Sequence, residues 1–255
     1  FNLGRMEATT HECRTLHNKV QCLPVEGHAV VTVSLKGKGE IPGDATAEQM
    51  RAVADLADRY AGGELRVTHR QNLVFPNVQV DKLAALYNAL AAHGLATGNV
   101  GLSSDIIACP GLDYCALATA RSIPLAQTLS TRLRAREAAA REAGRDESGP
   151  SINISGCINA CGHHHAANIG ILGLNKADQE NYQITLGGRA DEGAAVGELL
   201  GPGFSAEELP GAIDRLIDAF HTHREDGEDF VATYARIGKA PFKAAAYGSD
   251  DHVAV

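Results

Sequence analysis

The sequence predicts an α/β (α+β) fold in two parts, and three observations carry that prediction. Between residues 28 and 94, β-branched runs and helix-period runs follow one another in the order β-α-β-β-α. Beyond residue 98, short apolar strands lead into two cysteine pairs, Cys109 with Cys115 and Cys157 with Cys161. Apolar residues make up 44% of the 255, enough for a buried core, and six cysteines in so ordinary a composition suggest metal or redox use rather than a disulfide scaffold.

Residues 1–27 show no clean period and read as a connecting segment. Cys13 and Cys22 within it match no metal motif and read as incidental thiols. Ala29-Val-Val-Thr-Val-Ser-Leu35 is rich in β-branched residues and reads as a strand, followed by the glycine-rich loop Lys36–Asp44. Thr46 with Gln49 three residues later is a capping box opening a helix. Its apolar face is Met50, Val53, Ala54, Leu56, Ala57 and Tyr60, and Gly62-Gly63 ends it. Two short strands follow at Glu64–Thr68 and Asn72–Val78, then a helix from Asp81 closed by Gly94. This is most of a ferredoxin-like split βαβ unit, with a final strand expected near Thr97–Leu102.

In the second part, Ile106-Ile-Ala-Cys109 approaches the first cysteine pair, and a helix is expected from Ala116 to about Ala143. Asp146-Glu-Ser-Gly-Pro150 breaks it. Strands are expected at Ser151–Ser155, Asn168–Leu172 and Tyr182–Leu186. Ser205 opens a helix carrying Leu209, Ile213, Leu216, Ile217 and Phe220, and Phe230–Ile237 adds a further helical turn or two. The domain plan is therefore a half-domain over 28–98, a cysteine-bearing domain over 99–243, and a loose tail over 244–255.

The cysteines read C-x5-C and then C-x3-C, and four thiolates are what a cubane iron–sulfur cluster needs, one per iron. Glycine and proline beside each pair let the backbone curl so that the thiolates converge. A zinc site on Cys157, Cys161, His163 and His165 is a rival, but it leaves the distant C-x5-C pair unexplained. A non-catalytic iron–sulfur electron carrier is another rival, one that would bind a cluster without haem.

The spacing, with Gly156-Cys-x-Asn-x-Cys-Gly162 in the second half, resembles the sirohaem-dependent nitrite and sulfite reductases. Arg66-Val-Thr-His-Arg-Gln-Asn72, Gly170-Ile-Leu-Gly173, Tyr182–Gly188 and Gly227-Glu-Asp-Phe230 extend the resemblance over residues 28–243. It implies that Cys109, Cys115, Cys157 and Cys161 hold a [4Fe–4S] cluster, and that Cys161 also bridges to the iron of sirohaem. It implies that Asn159 contacts the cofactor region, and that Arg66, Arg70, Gln71 and Asn72 can meet the carboxylates of sirohaem. His163–His165 read either as lining of that pocket or as a polar loop.

In such a family the chain is the C-terminal half of a sulfite reductase, reducing sulfite to sulfide with six electrons; nitrite reduction to ammonia is the alternative. The implied partners are the N-terminal half, a small anionic substrate, and ferredoxin or an NADPH flavoprotein as electron donor. The family's substrate-clamping Arg and Lys belong mainly to that first half, so no catalytic side chain is named here. The formal charge of −8, from 23 basic and 31 acidic residues, argues against nucleic acid as a partner. No apolar run approaches the roughly twenty residues that span a membrane. The chain begins with Phe rather than Met and reads as a piece whose natural start is missing; a cytoplasmic setting is the weak expectation.

Overall fold

The computed structural model describes residues 20–22, 27–146 and 148–248. The chain divides into two compact units, residues 1–101 and 102–255.

The first unit contains β1 (Val20–Cys22), β2 (His28–Ser34), α1 (Ala47–Tyr60), β3 (Arg66–Val67), β4 (Asn72–Gln79) and α2 (Leu83–Ala92). Its sheet order is β1-β2-β4-β3, with every neighbouring pair antiparallel. Placing β4 between β2 and β3 is the split βαβ arrangement. The capping box forms as expected, with Gln49 N donating to Thr46 Oγ1 at 3.1 Å and Thr46 N to Gln49 Oε1 at 3.0 Å. Val31, Val33, Leu73, Phe75 and Val78 on one sheet face meet Val53 and Leu56 of α1 and Leu86 and Leu90 of α2. Alternation along β2 decides which side chains enter this core.

The final strand expected near 97–102 does not form. Gly101 sits at φ 78°, in the left-handed region that breaks a strand. The free edge of β2 is instead covered by Val20–Cys22, from the segment expected to be only connecting. Cys22 is opposite Ala29 in that ladder, and Cys13 lies outside the described residues.

The second unit contains β5 (Ile107–Ala108), α3 (Ile123–Glu142), β6 (Ile152–Ser155), β7 (Ile169–Lys176), β8 (Gln179–Leu186) and β9 (Glu198–Leu199), then α4 (Leu209–His223), α5 (Phe230–Ile237) and α6 (Lys239–Tyr247). The sheet runs β5-β6-β7-β8-β9. β5, β6 and β7 are parallel, and β8 and β9 are added antiparallel. Strand β6 reads as a continuous buried run, as a central parallel strand does. Ala177 and Asp178, both at positive φ, make the two-residue turn from β7 to β8. The core joins Ile152, Ile154, Ile169, Ile171 and Ile184 of the sheet to Leu129 and Leu133 of α3 and Ile213 and Leu216 of α4.

Two expectations are corrected here. The helix expected from Ala116 begins only at Ile123. Pro124 stands in its first turn, where the missing N–H costs nothing, whereas mid-helix it would break the ladder. The tail expected over 244–255 is helical up to Tyr247 as part of α6. Phe242 and Ala246 are fully buried, Phe242 packs on Phe230 and Tyr234, and Tyr247 stacks on Phe204 at 4.8 Å. Pro241 falls in the first turn of α6, where a proline is tolerated. No helix among the described residues is long and apolar enough to cross a membrane.

Candidate metal centre

Strands β5 and β6 lie side by side and parallel, with Ile107 opposite Asn153 and Ala108 opposite Ile154. Each runs straight into a cysteine loop: Cys109 follows β5, and Gly156-Cys157 follows β6. Ligands of α/β folds bind at such carboxyl ends of parallel strands. Cys109 N extends the ladder by donating to Ile154 O at 3.1 Å. The first loop then tightens, Cys115 N donating to Gly111 O at 2.9 Å. The second turns at Ala160 and His163, both at positive φ, with Ala160 N on Cys157 O and His163 N on Ala160 O.

Residues 119–122, expected to be helical, are a clasp that stitches the two loops together. Thr119 N and Ala120 N both donate to Gly156 O, at 2.8 and 3.0 Å. The Thr119 hydroxyl lies 3.0 Å from Gly156 O and 3.1 Å from Gly173 O. Leu112 N donates to Ala120 O, and the Ser122 hydroxyl to Cys109 O at 2.5 Å. The Tyr182 hydroxyl, from β8, lies 2.7 Å from Arg121 O and 2.8 Å from Glu180 Oε2. Burial first, and the Glu180 carboxylate second, push this phenol far above its ordinary range, so it stays protonated as a donor.

Two glycines make the close approach possible. A Cβ on Gly156 would stand 2.6 Å from Ala120 O and 2.9 Å from Gly111 Cα. One on Gly111, which sits at φ 59°, would stand 2.7 Å from Ser122 N. These obstacles are backbone atoms, which do not swing aside.

All four cysteines are free thiols: Cys109 and Cys157 buried, Cys115 half-buried, Cys161 exposed. Gly156 N donates to Cys109 Sγ at 3.0 Å, and Ser122 Oγ stands 3.6 Å from the same sulfur. Four unbridged thiols on two stitched loops, with an N–H already aimed at one sulfur, fit the donor set of a four-iron cluster, whose thiolates spread over four irons. A zinc ion would instead draw its donors to within about 2.0–2.3 Å of one atom. A zinc ion held by the second loop alone would leave the free thiols of Cys109 and Cys115 unused.

The histidine run splits by exposure. His163 and His165 are exposed, while His164 is 1% exposed. Neither ring nitrogen of His164 has a hydrogen-bond partner among the described residues. Its ring lies 3.9 Å from that of His165. Burial, and then the His165 charge, lower its pKa to about 4, so the imidazole is neutral. Asn159 is exposed at the tip of the second loop, beside Ile158, which is also exposed.

In the first unit, the expected residues occupy one strand–turn–strand. Arg66 is exposed on β3 and donates through Nε to Glu64 Oε1 at 2.6 Å. Arg70 N and Asn72 N both donate to Thr68 Oγ1. Gln71 holds the turn at φ 56°. Asn72 is buried, and its Oδ1 accepts from Leu35 N at 3.3 Å. Sequence reasoning passed over Lys36, which is buried with Nζ on Arg70 O at 2.5 Å. It also missed Thr119, Ser122 and Tyr182 as supports of the cysteine loops. One signal was available: Pro124 marks where a helix can start and so excludes residues 116–122 from it.

Cysteine loops at the ends of parallel strands define this unit as a cluster-binding redox domain. Residues 105–250 match the family model described as the nitrite and sulphite reductase 4Fe-4S domain, and residues 26–93 match the nitrite/sulfite reductase ferredoxin-like half domain. The chain belongs to the nitrite and sulfite reductase family. It is 31% identical over 189 residues to a sulfite reductase [NADPH] hemoprotein beta-component of Methylobacterium sp. (strain 4-46), a match covering 74% of this chain and 30% of that protein. It is 30% identical over 196 residues to an assimilatory ferredoxin-dependent nitrite reductase of Haloferax mediterranei, covering 74% and 32%. The solved structure of Mycobacterium tuberculosis NirA protein superposes with a TM-score of 0.71 at 30% identity, covering 89% of this chain and 41% of that one. A dissimilatory sulfite reductase at 15% identity and a TM-score of 0.64 shares the fold. The chain spans about a third of the length of the curated relatives it matches.

Proposed function

We propose that the protein containing this chain reduces sulfite to sulfide, with this chain as its cluster-bearing C-terminal half. The observation that carries the reading is the set of four free cysteines presented by two stitched loops at the ends of β5 and β6. In this reading Cys109, Cys115, Cys157 and Cys161 ligate the [4Fe–4S] cluster, and Cys161, the exposed member, also ligates sirohaem. The coupled cofactors supply one-electron steps that sum to the six the reaction needs. The residues described here ligate, bury and hydrogen-bond the sulfurs. In this reading Asn159 would contact the cofactor region, and Arg66, Arg70, Gln71 and Asn72 would meet sirohaem carboxylates. The anion-clamping residues and the N-terminal half come from outside this chain.

Nitrite reduction is the second reading, favoured by the Haloferax relative, which matches about as well as the sulfite reductases. Relatives are named for both NADPH and ferredoxin, so either donor fits. The deciding experiment is an anaerobic absorption spectrum with iron and acid-labile sulfide content of the complete protein, followed by sulfite and nitrite assays. Haem bands with about four non-haem irons and four sulfides, and faster turnover of sulfite, are expected. Iron and sulfide without a haem band would turn the reading to an electron carrier. Cofactor loading that survives Cys161→Ser would overturn the ligand assignment.

A further inference from the structure

Ser122 occupies the N-cap position of α3, yet its side chain makes no cap. A serine there ordinarily turns its oxygen to the N–H of N2 or N3, a bond worth keeping. Here the hydroxyl turns the other way, to Cys109. It lies 2.5 Å from Cys109 O and 3.6 Å from Cys109 Sγ. Ser122 is fully buried, and Gly111 leaves it room: a Cβ at Gly111 would stand 2.4 Å from Ser122 Oγ. A hydroxyl carries one proton and rotates to suit its acceptors. Against a neutral thiol, the carbonyl is the stronger acceptor. Against a thiolate bearing cluster charge, the sulfur competes for that proton.

We propose that Ser122 is a positioning residue that sets the reduction potential of the cluster, by donating its hydroxyl proton to Cys109 Sγ beside the Gly156 N–H. The proposal rests on Cys109 being a cluster ligand. Uptake of one electron adds one negative charge to the cluster and its thiolates. No covalent bond forms or breaks, and the proton stays on the Ser122 oxygen. Two donors on one buried sulfur stabilise the added charge, and water does not screen them. Removing the hydroxyl therefore makes the cluster harder to reduce.

The test is an anaerobic EPR-monitored redox titration of the cofactor-loaded protein, with a low-potential viologen as reductant, on wild type, Ser122→Ala and Ser122→Thr. A hydrogen bond to a charged group is worth about tenfold in an equilibrium constant, which is about 59 mV for a one-electron couple. Ser122→Ala is expected to shift the potential negative by about that amount, and Ser122→Thr, which keeps the hydroxyl, to restore it. An unchanged potential in a fully loaded Ser122→Ala protein overturns the proposal. A wild-type protein without iron and sulfide would instead sink the ligand reading beneath it. If Ser122→Ala fails to load, pulsed EPR of the reduced wild type in H2O and D2O decides. Exchangeable couplings from two donors support the proposal, and coupling from one donor overturns it.

Discussion

The backbone N–H of Gly156 donates to Sγ of Cys109 at 3.0 Å, joining the second cysteine loop to the first across 47 positions of chain. Cys109 directly follows β5 and Gly156 directly follows β6, so the parallel pairing of the two strands sets this contact.

Gly156→Ala tests that contact. The new Cβ would meet Ala120 O at 2.6 Å and Gly111 Cα at 2.9 Å, both backbone. The loops must part, at a cost of about 2–4 kcal/mol. Urea unfolding should show a lowered midpoint, and iron content should fall with it. A midpoint equal to wild type would mean that the loops move apart freely.

Tyr182→Phe removes the hydroxyl shared by Arg121 O and Glu180. The carbonyl and carboxylate lose a buried donor, so about 1–2 kcal/mol should be lost. Denaturant midpoints of the two proteins measure it. Tyr234→Phe, whose hydroxyl meets Glu198 at 3.1 Å on an exposed face, should cost less.

Glu137 is buried on α3 and accepts from Ser104 N at 2.9 Å and Ser104 Oγ at 2.7 Å. It thereby anchors the segment that leads into β5 and Cys109. Glu137→Ala leaves those donors buried without this acceptor and should cost about 2–3 kcal/mol. Glu137→Gln keeps one acceptor oxygen and should recover part of that. Equal midpoints for the two variants would show that the acceptor is immaterial.

His164 gives the protein an acid-sensitive limb. Its pKa falls from 6.5 to about 4 on folding, from burial and then from the His165 charge. Between those values the unfolded chain binds the proton and the folded one does not. Stability therefore falls as pH drops from about 6.5 to 4, by about 3 kcal/mol in all. His164→Leu should flatten the plot of urea midpoint against pH in that window. A slope unchanged by the substitution would assign the acid limb to other groups.

Phe242→Ala addresses the last helix. Phe242 is fully buried against Phe230 and Tyr234. Emptying that space should cost about 3–5 kcal/mol, read as a lowered melting temperature. A chain end that contributed nothing to the core would show no change.

Much of this protein was legible in its sequence because the signals are local. Thr46 with Gln49 fixes the start of α1, β-branched runs fix β2 and β4, and four cysteines with flanking glycines mark the candidate metal centre. Each needs only neighbours a few residues away. The tertiary structure decided what depends on residues far apart in the chain. Val20–Cys22, rather than residues 97–102, covers the edge of β2, because an open strand edge takes whichever segment can lie extended beside it. Residues 119–122 are a clasp because Gly156 O, Cys109 O and Tyr182 offer them bonds that continuing a helix would forgo. Lys239–Tyr247 folds as α6 because Phe230 and Tyr234 of α5 receive Phe242, although its own run of alanines carries little pattern. The sequence pointed to four cysteines; pairing β5 with β6 decided which N–H and which hydroxyl stand against the sulfur of Cys109.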